Sequence, residues 1–241
     1  MAEIPSHPTP RSEFLYGVRA ELPILFGVVP FGMIYGVLAI GAGLPPLAAQ
    51  AMSAIVFAGS AQFLATGLFA VGAPGLVIVL TTGVVNLRHA LYSASIAPYT
   101  RKLSSAWKGL LAYLLTDEAY AVAITHYLAG GTDDETVRYK HWFFLGAGLA
   151  LWSSWQASTA VGILLGAVIP SGWSLDFTLA LTFIALVVPN IKDWAGLTAG
   201  LTAGVVAVLA AGLPYKLGLL LAALAGILGG LLVEGRRWRS G

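Results

Sequence analysis

Between Leu22 and Leu87 the chain contains no Asp, Glu, Lys, Arg or His. A helix crossing the hydrocarbon core of a bilayer needs about 20 mostly apolar residues, so this stretch alone holds about three crossings. The whole sequence agrees: of 241 residues 58% are hydrophobic and 10% charged, against about 25% charged in an ordinary soluble domain. A soluble globular protein is thereby excluded. Apolar runs of this length fit helices, whereas outer-membrane barrel strands alternate in polarity over about ten residues. A formal net charge of +2 offers no basic field for nucleic acid, and without Cys there is neither a disulfide framework nor a thiolate cluster. Residues 1–19 carry prolines and charges and lack a continuous apolar core, so no cleavable signal peptide is expected.

The expected fold class is all-α: a polytopic integral membrane helix bundle of about eight (seven to eight) segments, with a hint of an inverted repeat and with broken helices. Separators rich in Gly, Pro or charge place the spans near 22–43, 46–71, 74–97, 108–130, 141–169, 175–191, 194–211 and 214–233. This makes 1–21 a cytoplasmic N-terminal segment, 22–233 a single transmembrane domain and 234–241 a short basic tail. Lys and Arg near the span ends favour both termini inside, but Arg101, Lys102 and Lys108 then fall on the outer side. Either that loop is an exception or one of the first three segments is re-entrant. Small residues four apart, at Gly32 and Gly36, Gly226 and Gly230, and Gly196, Gly200 and Gly204, mark faces where helix backbones approach closely. The echo of VVNLRH at 84–89 in VVPNIKD at 187–193 is the hint of a repeat.

Ionisable groups at mid-membrane cost several kcal/mol, about 2.5–3.5 on insertion scales, so they belong in a bundle interior or a wetted cavity. On a helix Asn86, His89 and Ser93 share one face, and Arg88, Tyr92 and Ser95 the adjacent one. Arg88 suits a carboxylate and His89 a proton; the plainer alternative is a third span ending at Leu87, with Arg88 snorkelling at the interface. In TDEAY at 116–120, Asp117 and Glu118 point about 100° apart, so both cannot face lipid. They are candidate proton carriers or amine binders, and equally candidate structural partners for Arg88. Gly59, Ser60 and Gln62 in AGSAQF, and Pro189 and Asn190 in VVPNIKD, are expected to unwind their helices and expose backbone groups to a zwitterionic substrate. For Trp152, Trp155 and Gln156 interfacial anchoring is expected.

GSAQF at 59–63, NLRHALYSASIAP at 86–98 and LLTDEAYA at 114–121 together resemble the signature segments of the AzlC family, the large subunit of branched-chain amino acid exporters. The resemblance is strongest from about Phe14 to Tyr127. It implies efflux of valine, leucine, isoleucine and in some cases methionine across the bacterial inner membrane, driven by proton exchange, together with a small hydrophobic membrane partner of the AzlD type. With no nucleotide-binding motif such as GxxxxGK[ST], the chain is expected to be a secondary carrier or one subunit of something larger, requiring no cofactor. The expected substrate-binding set is Gly59, Ser60, Gln62, Asn86, Arg88, Tyr92 and Asn190, with His89, Asp117 and Glu118 coupling protons. Two rivals stand against this: an intramembrane metal enzyme using His89, Asp117, Glu118, His126 and Asp193, which no HExxH-type spacing supports, and a scaffold that assembles a complex without transporting.

Overall fold

In a computed structural model of the chain, residues 9–129, 139–168, 191, 193–213 and 217–239 are described. They are helical, with no strand among them. Two compact units form, one from residues 1–66 with 82–170 and the other from 67–81 with 171–241.

The first unit begins with α1 (Pro10–Gly41), earlier than the first apolar span suggests. Thr9 accepts from the Ser12 N–H at 3.1 Å while the Ser12 hydroxyl accepts from the Thr9 N–H at 2.8 Å, and Pro10 opens the helix. This reciprocal cap satisfies two of the N–H groups a helix start leaves open. The stretch read as a cytoplasmic N-terminal segment is therefore helical from Pro10, and it buries Glu13 and Glu21.

Three spans follow, and each is split in two near its midpoint. They are α2 (Pro46–Val56) with α3 (Gly59–Ala70), α4 (Gly75–Asn86) with α5 (Arg88–Thr100), and α6 (Ser105–Tyr113) with α7 (Asp117–Ala129). The breaks have different causes. Phe57 ends α2 in the left-handed region, φ 40° and ψ 47°, a conformation that costs a non-Gly residue roughly 1–2 kcal/mol; its ring is buried, 5% exposed. At Leu87 the chain tightens by a turn, Leu87 N–H reaching Val84 O and Ala90 N–H reaching Leu87 O. At 114–116 the chain leaves the helix and Thr116 restarts it, its hydroxyl accepting from the Ala119 N–H at 3.3 Å and its carbonyl from the Tyr120 N–H. Asp117 and Glu118 then occupy the first turn of α7, where the helix dipole favours negative charge. The unwinding expected at Gly59, Ser60 and Gln62 falls instead at Phe57 and Ala58, just before them.

The fifth span, α8 (Lys140–Gly166), lies directly against α1. A Cβ on Gly17 would come within 2.0 Å of the Phe143 carbonyl oxygen, on Gly146 within 2.0 Å of that of Phe14, and on Gly162 within 2.1 Å of that of Met33. Glycine at these positions lets the two backbones touch. Residues 14–17 of α1 meet 143–147 of α8 and residues 33–36 meet 159–163, so α1 and α8 run parallel. An odd number of crossings must separate them, which the three split spans provide. Loss of just the second or third segment as a re-entrant loop would have turned α8 antiparallel.

In the second unit, α9 (Trp194–Leu209) and α10 (Leu217–Arg239) pack antiparallel. Gly226, Gly229 and Gly230 meet Ala199, Thr202 and Ala203. The expected packing stripe at Gly196, Gly200 and Gly204 does not carry this contact: Gly204 has nothing within 4 Å among the described residues. The alanine row beside it, with methyl groups that fill the groove between ridges, takes that role.

Large apolar side chains face outward, among them Phe26 at 85% and Leu47 at 82% exposed, whereas Glu21, Ser53, Gln62 and Thr159 are fully buried. Pro10–Gly41, Gly75–Thr100 and Leu217–Gly235 are long and apolar enough to cross a membrane. That apolar exterior over a polar interior fits lipid as the solvent.

Candidate functional site

The three helix breaks, all of which lie in the first unit, meet through their side chains. Ser60 lies in the first turn of α3, Arg88 opens α5 and Asp117 opens α7. The Arg88 guanidinium donates through Nη1 to Asp117 Oδ2 and through Nη2 to Ser60 Oγ at 2.7 Å. Arg88 stands at the middle of the Gly75–Thr100 run, so it does not snorkel from a helix end. Three half-helix N-termini converge here, and each carries a partial positive charge and N–H groups without an intrahelical partner.

The stripe of Arg88, Tyr92 and Ser95 faces α7. Tyr92 stacks on Tyr120 with centroids 4.5 Å apart, the Tyr120 hydroxyl donates to Ser95 Oγ at 3.0 Å, and Tyr92 lies beside the Asp117 carboxylate. Of the other stripe, neither His89 nor Ser93 joins this ion pair. His89 Nδ1 lies 3.0 Å from the Asn86 carbonyl oxygen, which only accepts, so Nδ1 carries its hydrogen and caps the end of α4. Ser93 is exposed.

Several polar atoms around the breaks are buried with no hydrogen-bond partner among the described residues: Arg88 Nε, Asp117 Oδ1, Asn86 Oδ1 and both amide atoms of Gln62. Burying such groups unpaired costs about 1–3 kcal/mol each. The set is complementary to a zwitterion. Arg88 Nε and the N-termini of α3 and α5 suit a carboxylate, while Asp117 Oδ1 and Asn86 Oδ1 suit an ammonium group.

Gly59 packs closely on a ring. A Cβ there would come within 3.1 Å of the Trp155 ring. Trp155, expected at an interface, is instead 7% exposed and lies parallel to Tyr35, 20° between planes. The reason is the glycine at 59, which opens a slot for the indole. Gln62 lies beside the Tyr35 hydroxyl, which donates to Ala49 O at 2.8 Å. The remaining aromatic and amide residues are tied elsewhere: Trp152 Nε1 donates to the Tyr113 hydroxyl at 2.7 Å, and Gln50 Nε2 donates to Gln156 Oε1 at 2.7 Å. Asn190 and Pro189 lie outside the described residues.

Sequence reasoning missed Glu13 and Glu21, which stand on the N-terminal side of the uncharged stretch. His126 Nε2 donates to Glu13 Oε2 at 2.9 Å, both residues buried, with the imidazole stacked on Phe143 at 3.9 Å. Lys140 Nζ donates to Tyr127 O at 3.0 Å. Spacing was the available signal: Glu13, Gly17 and Glu21 repeat every four residues and so lie on one helical face, the face that Gly32 and Gly36 continue. Of the residues proposed for a metal enzyme, His126 is engaged with Glu13, and Asp193 caps α9 by accepting from the Gly196 N–H at 2.7 Å. No cluster of three or more such ligands exists among the described residues.

A helical membrane bundle whose spans break around a charged, partly accessible centre fits the class of membrane transport proteins. The particular family follows from comparison: the model of the AzlC protein family matches residues 23–169, and the chain belongs to that family. It is 28% identical to the inner membrane protein YgaZ of Escherichia coli, over 77% of this chain and 78% of that one. It is likewise 28% identical to the branched-chain amino acid transport protein AzlC of Bacillus subtilis, over 77% and 72%. An uncharacterized membrane protein of Archaeoglobus fulgidus is 30% identical over 74% and 76%. No solved structure matches the chain.

Proposed function

We propose that this protein is the large subunit of a secondary carrier that exports branched-chain amino acids, valine, leucine and isoleucine, with methionine as a further candidate substrate, in exchange for protons. The observation that carries the proposal is the meeting of Ser60, Arg88 and Asp117 at three helix breaks. The α-carboxylate is received by Arg88 and the α3 and α5 N-termini, and the α-ammonium by Asp117 and Asn86. When the ammonium approaches, it competes with Arg88 for Asp117, so substrate loosens the link between α5 and α7. That gives binding a differential effect on two arrangements of the bundle, as a carrier requires. The branched alkyl group is held by apolar side chains beside the breaks, Phe57, Leu114 and Leu115 being buried there. An apolar pocket distinguishes one methylene by only about 1–3 kcal/mol, so overlapping substrates are expected.

The relative in Bacillus subtilis, named for branched-chain amino acid transport, supports the substrate class. The reading further takes a small hydrophobic AzlD-type subunit as partner, the bacterial inner membrane as location and a cytoplasmic position for both termini. Fluxes of radiolabelled valine, leucine and methionine in proteoliposomes, with and without the partner and a pH gradient, test it. Transport that is saturable and lost in Arg88→Ala supports the proposal. Flux in Arg88→Ala equal to wild type, or none in wild type with the partner present, refutes it.

A further inference from the structure

Glu21, on α1, is fully buried, and neither carboxylate oxygen has a hydrogen-bond partner among the described residues. Among the described residues of the elements packed on α1, no cation is paired with it. Of the elements packed on α1, α2 has no titratable side chain, and those of α8 are Lys140 and His141 at its start, two helical turns away beside Glu13. On α7, His126 is bonded to Glu13, Asp117 to Arg88 and Tyr120 to Ser95. Arg19 is exposed. The charged side chain near enough to act on Glu21 is Glu118, of the same sign.

Glu118 differs from Glu21 in what surrounds it. It sits in the first turn of α7, where burial opposes a negative charge but its own backbone N–H, the Thr116 hydroxyl and the helix dipole offset part of that opposition. Glu21 has none of these. An ionised carboxylate buried without donors costs several kcal/mol, and that cost disappears when the group holds a proton. Adjacent residues of α7 thus serve two places: Asp117 bonds Arg88 at the Ser60 site, and Glu118 lies within electrostatic reach of Glu21, a carboxyl without a hydrogen-bond partner among the described residues.

We propose that Glu21 is the proton-carrying residue of this carrier, exchanging its proton with Glu118. The step is Glu21–COOH with Glu118–COO⁻ going to Glu21–COO⁻ with Glu118–COOH. One O–H bond breaks as another forms, and the pair keeps a single negative charge. Asp117 is unsuited to this role because a fixed cation already balances it. Through Glu118 the protonation state of α1 reaches the residue next to the substrate site, which is the connection that coupling requires. The inference rests on the transport reading above and moves the proton site from His89 and Asp117 to the α1–α7 contact.

The experiment uses the full-length chain, with its partner subunit, in three forms: wild type, Glu21→Gln and Glu21→Asp. Infrared spectroscopy of purified protein at neutral pH reads the carbonyl stretch of a protonated carboxyl without any need for transport. The band is expected in wild type and Glu21→Asp and absent from Glu21→Gln; a band unchanged by Glu21→Gln overturns the proposal. In proteoliposomes, exchange of labelled for unlabelled leucine is expected to survive in Glu21→Gln within about threefold, while leucine-driven proton movement falls about tenfold or more. Proton movement equal to wild type in Glu21→Gln overturns this inference alone. Absence of leucine flux in wild type overturns the transport reading and leaves the infrared result to decide the proton site.

Discussion

The contact between α1 and α8 makes a prediction that can be worked from distances. In Gly162→Ala the new Cβ would lie 2.1 Å from the Met33 carbonyl oxygen and 2.8 Å from Met33 Cα, where ordinary contact begins at 3.4 Å. Both obstructing atoms are helix backbone, so no rotamer change relieves them. The helices must part by roughly 1 Å, and a gap of that size forfeits a quarter to a half of the dispersion well for each contact across it. Overpacking usually costs about 1–3 kcal/mol, and with backbone on both sides the upper end applies. Taking about 3 kcal/mol, the unfolding midpoint should fall by roughly 6–12 °C. Tryptophan fluorescence on detergent-purified protein measures it. Gly27→Ala is the matched control, since nothing lies within 4 Å of that position; alanine there should hold or raise the midpoint, being the better helix former by about 1 kcal/mol. Equal midpoints for Gly162→Ala and Gly27→Ala would refute direct backbone contact.

Two further predictions concern the breaks. Asp117→Asn leaves Arg88 without its counter-charge and should destabilise by about 1–2 kcal/mol, well under the 3–5 typical of a fully buried pair because the side chains are 31% and 37% exposed; Arg88→Gln with Asp117→Asn should recover part of that loss in a thermal double-mutant cycle, and strict additivity would contradict the pairing. Thr116→Ala removes the α7 cap, which should cost about 1 kcal/mol and speed hydrogen exchange at the Ala119 amide, whereas Thr116→Ser should retain slow exchange.

How much of this could be read from the sequence depended on whether the signal was local. The uncharged run from Leu22 to Leu87 and its Gly-Pro separators were enough to place the segments at 46–71 and 74–97, because in lipid every crossing must be a long apolar helix; the span expected at 175–191 lies outside the described residues. Arg88 and Asp117 stood out because mid-span charge is costly wherever it points. Their pairing was among the readings left open for Asp117 and Glu118, and nothing local could choose between the two acids, since the pair joins residues 29 apart. Phe57 carried no turn chemistry to announce a left-handed residue; the break there is imposed by tertiary burial of its ring. Trp155 was misassigned because aromatic residues in membrane proteins cluster at interfaces, and the slot that Gly59 opens across the bundle is invisible along the chain. Glu21 escaped notice for a simpler reason. It stands one residue before the uncharged stretch and looks like a flanking charge, although its four-residue spacing from Gly17 places it on the face that packs.

The chain has no cysteine, so a single Ser60→Cys variant reports on the site against a silent background. If Ser60, Arg88 and Asp117 line a wetted pathway that binds amino acids, a membrane-impermeant thiol reagent will modify this cysteine, and saturating leucine will slow the modification while glycine will not. A cysteine that is inert from both sides of the membrane, or one whose reaction rate leucine leaves unchanged, would contradict the placement of the substrate at these three helix breaks.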